Sequence, residues 1–246
     1  MSEQIAPLLP PNKTLVAAEA VKLYWRFLTS RRYFFVLVLL LAVVAYLSLS
    51  TRTFFTSNNL FNVARSCSWI AIAAFGESMV IIIGGIDLSV GAVMAMAGLI
   101  TAMGLQAGLP IPLAIGAGLL TGGLAGWANG AMVGRVKLPP YIITLGTMSI
   151  FRGLAFGLTG GWPLRNFPHD FNLLGAYNLP VGSWEVPLPV LFMLGLTVLV
   201  SLLLNQTIMG RYIYTLGGSE RALLVSGVKV SQIHVLVYTL GGVLAA

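Results

Sequence analysis

Apolar residues run through this chain in long unbroken blocks, whereas the amphipathic helices of a soluble core would space them every third or fourth position. A helix needs ~20 predominantly apolar residues to cross ~30 Å of hydrocarbon. The blocks at 33–50, 66–83, 89–105, 111–134, 141–160 and 189–205 reach or approach that length, and a seventh begins near His234. From there to Ala246 only about 13 residues remain, so the pattern predicts six complete spans and a truncated seventh. The fold class expected is all-α, a polytopic transmembrane helical bundle. Its domains are a segment at 1–32 and a transmembrane domain at 33–246, C-terminally incomplete, with a polar island between Asn205 and Gln232.

Composition supports the membrane reading: 57% of residues are hydrophobic, 9% are charged and the mean hydropathy is +0.90. Cys67 is the single cysteine, which excludes an intramolecular disulfide, a CxxC pair and a thiolate metal cage. A net charge of +7 invites a nucleic-acid reading, but no basic face interleaved with stacking aromatics is present. The basic residues report orientation instead. With a cytoplasmic N-terminus, ten of the fourteen fall inside: Lys13, Lys22, Arg26, Arg31, Arg32, Arg135, Lys137, Arg211, Arg221 and Lys229. Arg52, Arg65 and Arg165 fall outside and Arg152 within a span.

The segment at 1–32 is not expected to be a cleaved signal peptide, because the apolar run starts only at Tyr33 after a long polar stretch and is longer than a typical signal-peptide core. Asn12 can cap a short helix with Val21, Trp25 and Leu28 on one side and Lys22 and Arg26 on another, an interfacial helix at the inner leaflet. A disordered tail is the alternative.

Three features carry candidate chemistry. In the fourth block Gly118, Gly122, Gly126, Gly130 and Gly134 recur every four residues and lie on one helix face. Such a stripe lets two backbones approach closely, within one subunit or across a dimer seam. Between the second and third blocks, Gly84-Gly85 precedes Asp87 and Ser89. A break there frees carbonyls that are tolerated only against protein or a water-filled cavity, and an intramembrane acid marks a functional candidate. Asp87 or Ser89 also suits an N-cap, and the two roles are compatible. Glu77 and Arg152 both reach the midplane by helix rise, so an interhelical Glu77–Arg152 pair is expected, with Asp87 the other acid within reach if the break lies deeper. In the polar island, Met209 to Tyr214 leaves the membrane and Gly217-Gly218 makes a flexible turn. Ser219 then caps a short helix led by Glu220, which Gly227 stops. Alone, such a helix is too short to be stable in water, so it must pack on its own domain or on a partner.

Gly84 to Gly91, Thr144 to Gly153, and Gly210-Arg211-Tyr212 through Glu220 to Gly227 together resemble the membrane permease subunit of ribose-type ATP-binding cassette sugar importers. The resemblance covers roughly residue 60 to the end, and a branched-chain amino acid permease of the same superfamily is the near alternative. It implies an inner-membrane subunit that lines the translocation pathway and works as one of a homo- or heterodimeric pair. It also implies a sugar-binding protein outside and a separate ATPase inside, with no cofactor of its own. Loop 206–232 would couple to the ATPase through Gly218, Glu220, Ala222 and Gly227; Glu77, Asp87, Ser89 and Arg152 would belong to the pathway or its buried charge. The loop from Gly161 to Pro187, with Trp162, Arg165, Asp170, Trp184 and Glu185, is the candidate dock for the binding protein. No phosphate-binding Gly-x-x-x-x-Gly-Lys-Ser/Thr string occurs, and His169, His234 and Cys67 are too scattered for a membrane enzyme. A secondary carrier or channel also uses broken helices and buried charges, but it gives the island helix no ATPase to meet.

Overall fold

The computed structural model describes residues 31–181 and 184–246, so the interfacial helix expected between Asn12 and Leu28 lies outside the described residues. The chain divides into two compact units, Met1–Leu60 and Phe61–Ala246. The first contains α1 (Arg31–Ser50), and α2 (Ser57–Ile82) begins in it and runs on into the second. Between these helices the backbone turns at Thr51 to Thr56, where Asn59 Nδ2 donates to the Phe54 carbonyl at 2.8 Å.

The second unit continues with α3 (Val90–Gln106), α4 (Ile111–Arg135), α5 (Pro140–Thr159) and the short α6 (His169–Ala176). A hairpin of β1 (Asn178–Val181) and β2 (Trp184–Pro187) follows. After it come α7 (Leu188–Gln206), α8 (Ile208–Gly218), α9 (Glu220–Val225) and α10 (Val230–Ala245). The protein is a polytopic helical membrane bundle: α2, α4, α5 and α7 are long and apolar enough to cross a bilayer, and Phe34–Ser50, α3 and α10 are shorter apolar helices. Proline marks the first turns of α4, α5 and α7, where its missing N–H has no helical partner to lose.

Where the boundaries differ from the sequence reading, local chemistry explains it. α2 starts nine residues before the apolar block at Ser66, because Ser57, Asn58, Asn59 and Asn62 are polar yet compatible with a helix above the hydrocarbon. The segment read as one outer loop contains α6 and an antiparallel hairpin that pairs Asn178 with Pro187. Arg65 holds the hairpin to α2, its Nη2 donating to Asn178 Oδ1 at 2.6 Å. Gly217 and Gly218 are the last residues of α8 and not a flexible turn. A Cβ on Gly217 would collide with the Ile82 carbonyl, so the glycine serves close packing against the end of α2. α10 begins at Val230, four residues before His234.

α10 and α4 form the centre of this unit. Tyr238 and Val237 are fully buried and join Met79, Val80, Ile213, Leu216, Leu223 and Ile233 in one hydrophobic core. The glycine stripe makes the approach possible: a Cβ on Gly122 would meet the Gly242 carbonyl, one on Gly126 the Tyr238 carbonyl, and one on Gly130 would sit 2.7 Å from the Val235 Cα. A Cβ on Gly134 would sit 2.8 Å from the Ser231 carbonyl oxygen, while one on Gly118 would meet Thr101 of α3. Without a hydrophobic effect between helices in lipid, this bare-backbone contact supplies dispersion that bulkier side chains would prevent.

Candidate functional site

The break between α2 and α3 is held by a polar network that ties three helices together. Ser89 stands at the N-cap of α3 but does not cap it with its side chain. Its hydroxyl and backbone N–H both donate to Asp87 Oδ1, at 2.6 and 2.7 Å. Asn129 of α4 donates from Nδ2 to Ser89 Oγ at 3.1 Å and accepts at Oδ1 from Thr147 Oγ1 of α5 at 2.5 Å. One turn earlier on α5, Thr144 Oγ1 accepts from Leu88 N–H at 3.1 Å and reaches the Ile86 carbonyl at 3.3 Å.

Backbone groups freed by the Gly-Gly break are thus accounted for by protein, as low-dielectric surroundings demand. Gly84 and Gly85 donate back to Ile81 and Val80, both at 2.9 Å, and Asp87 N–H donates to Glu77 Oε1 at 3.4 Å. Ser89, Asn129 and Thr144 are each at most 1% exposed, so this is an interior network and not a wetted surface.

The expected Glu77–Arg152 pair is not formed. Glu77 spends one carboxylate oxygen on the break, and its other, Oε2, is buried without a hydrogen-bond partner. Asp87 is committed to Ser89 and is not the partner of Arg152 either. Helix rise alone put these charges at similar depth; it says nothing about azimuth, and Glu77 faces the break while Arg152 faces a different space. That space is a cavity of about 480 Å³ between α3 and α5, which Arg152 lines together with Phe151, Phe156, Thr159 and Trp162. Small residues on α3, Ala92, Ala95, Gly98 and Ala102, form its opposite wall.

Farther along, α8, α9 and the start of α10 build a compact cap at one end of the unit. Thr207 caps α8 by accepting from Gly210 N–H at 3.1 Å, and Ser219 caps α9 by accepting from Ala222 N–H at 3.3 Å. Leu223 is 3% exposed and anchors α9 in the core beside Ile213 and Leu216. Gly227 ends the motif at φ +76°, a left-handed backbone that glycine adopts at little cost. The rest of α9 faces outward: Glu220, Arg221 and Ala222 are exposed, and Leu224 and Val225 are 55% and 84% exposed.

The sequence points to Asp87 and Ser89 as candidate site residues but gives no such role to Asn129, which bonds Ser89, to Thr147, which bonds Asn129, or to Thr144, which bonds the backbone of the break. Asn129 was detectable in principle, being a carboxamide in an α4 otherwise built of Gly, Ala, Leu and similar residues, a placement that usually signals an interhelical hydrogen bond.

Residues 59–246 match the family described as "Branched-chain amino acid transport system / permease component", and the chain belongs to that family. The ribose import permease protein of Haemophilus influenzae is 38% identical over 90% of this chain and 68% of its own length. That of Escherichia coli K12 is 37% identical over 85% and 65%, and the D-allose transport system permease protein of the same strain is 36% identical over 86% and 64%. The chain therefore spans about two thirds of the length of these relatives. No solved structure matches it.

Proposed function

We propose that this chain is the pathway-forming permease subunit of an ATP-driven importer of simple sugars in the cell inner membrane. It works as one of a pair, receives sugar from an extracytoplasmic binding protein, and is driven by a separate ATPase. The observation that carries the reading is α9. A helix of six residues cannot stand alone in water, yet here it is capped at Ser219, pinned by Leu223 and left with Leu224 and Val225 in the open. A seated helix with an unpartnered face suits a cleft in a partner protein, and its rigid attachment through Leu223 to Ile213 and Tyr238 gives a push on it a route into α8 and α10.

The substrate class rests on the relatives, whose names specify ribose and D-allose. The Arg152 cavity is compatible with it: aromatic faces for the apolar side of a sugar ring and guanidinium donors for its oxygens. The binding protein would dock on the α6 and hairpin segment. Uptake of labelled ribose by cells lacking their own ribose permease, supplied with this protein together with its ATPase and binding protein, tests the reading. Ribose accumulation that disappears in an ATPase-dead background supports it; uptake that persists there would indicate a secondary carrier, and uptake of branched-chain amino acids in place of ribose would move the substrate class.

A further inference from the structure

At the end of the bundle where α4 stops and α5 and α10 start, a cavity of about 670 Å³ opens between the α4–α5 turn and α9. Three cations line it, Arg135, Lys137 and Lys229, together with His234 and Ser231, against one acid, Glu220. The cations come from two segments far apart in sequence, so the fold concentrates the charge and no single basic run does. The Lys137 backbone is left-handed, φ +59°, a conformation that glycine would adopt more cheaply. The walls beside the charges are apolar, with Leu138, Pro139 and Val230. Charge above and hydrocarbon below, at the level where three helices end, is the environment of a phospholipid headgroup.

We infer that this cavity binds the phosphate of an anionic phospholipid, phosphatidylglycerol being the simplest example, with Arg135, Lys137 and Lys229 around the phosphate and the acyl chains running down the α4 and α5 surface. Because Glu220 and Leu224 of α9 line the same cavity, the lipid sets the seating of the short helix, and the lipid composition of the membrane adjusts whatever that helix does. The site depends only on the cation arrangement and does not rest on the sugar-import reading.

The test is native mass spectrometry of the purified chain titrated in detergent with phosphatidylglycerol, phosphatidylcholine or inorganic phosphate. Phosphatidylglycerol adducts should form in clear preference to phosphatidylcholine, and Arg135→Gln/Lys137→Gln/Lys229→Gln should weaken them on the order of a hundredfold, since each surface cation is worth about fivefold toward anionic lipid. Lys137→Gly, which relaxes the left-handed backbone and so has no reason to misfold, should alone lose about fivefold. Competition by millimolar inorganic phosphate would support the anion site while showing that the phosphate group suffices. Equal binding of both lipids, or undiminished phosphatidylglycerol binding by the folded triple variant, would overturn the inference. So would loss of a copurifying ATPase from the triple variant with lipid binding unchanged, which would give the cavity to a protein partner.

Discussion

Asn129 is the residue on which the interior network turns, because it is the one side chain that both donates to Ser89 and accepts from Thr147. Asn129→Ala removes the donor to the buried Ser89 hydroxyl and the acceptor for the half-buried Thr147 hydroxyl. A loss of about 1–3 kcal/mol is expected, seen as a lower unfolding temperature of the purified protein. Glu77 and Arg152 are predicted to behave independently, since Glu77 holds the break and Arg152 lines the α3–α5 cavity. In a double-mutant cycle, Glu77→Gln and Arg152→Gln should add to within about 0.5 kcal/mol; a coupling well above that would restore the pair that sequence depth suggested. Residue chemistry at this scale was half legible. Asp87 and Ser89 announce themselves by standing after a Gly-Gly break in apolar surroundings, whereas their partners are set by helix azimuth, which neither hydropathy nor rise encodes.

Helices themselves were more legible, because membrane length and proline punctuation leave few ways to place them. The short α9 was readable from Ser219, Glu220 and Gly227, while α8 was not: Gly217-Gly218 reads as a turn until the Ile82 carbonyl is seen against it. The glycine stripe tells the same story, since its spacing predicts close approach but not the partner, which within this chain is mainly α10. Gly126→Ala pushes a methyl into the Tyr238 carbonyl and should destabilise by about 1–3 kcal/mol. Gly116→Ala on the same helix meets nothing within 4 Å and should be neutral or stabilising by up to about 1 kcal/mol. Thermal unfolding of the two variants side by side distinguishes packing from propensity, and equal effects would contradict the stripe's role.

For the whole molecule, family and architecture agree: a helical permease with its polar chemistry gathered at one broken helix and one bundle end. The basic residues predict a cytoplasmic N-terminus and a cytoplasmic 206–232 segment, and single cysteines in a Cys67→Ser background check it; a cysteine at Ser219 should resist an impermeant reagent applied outside, and labelling there would reverse the topology. In the proposed transporter α9 transmits the motion of an ATPase to the bundle. Sugar-stimulated ATP hydrolysis by the reconstituted transporter, with binding protein present, measures this most directly. Glu220→Lys and Gly227→Pro should leave membrane insertion intact and abolish the stimulation, the first by reversing charge at the start of α9 and the second by forbidding the φ of +76° on which the motif ends. Stimulation equal to the unmutated protein in both variants would contradict the account and reduce α9 to surface.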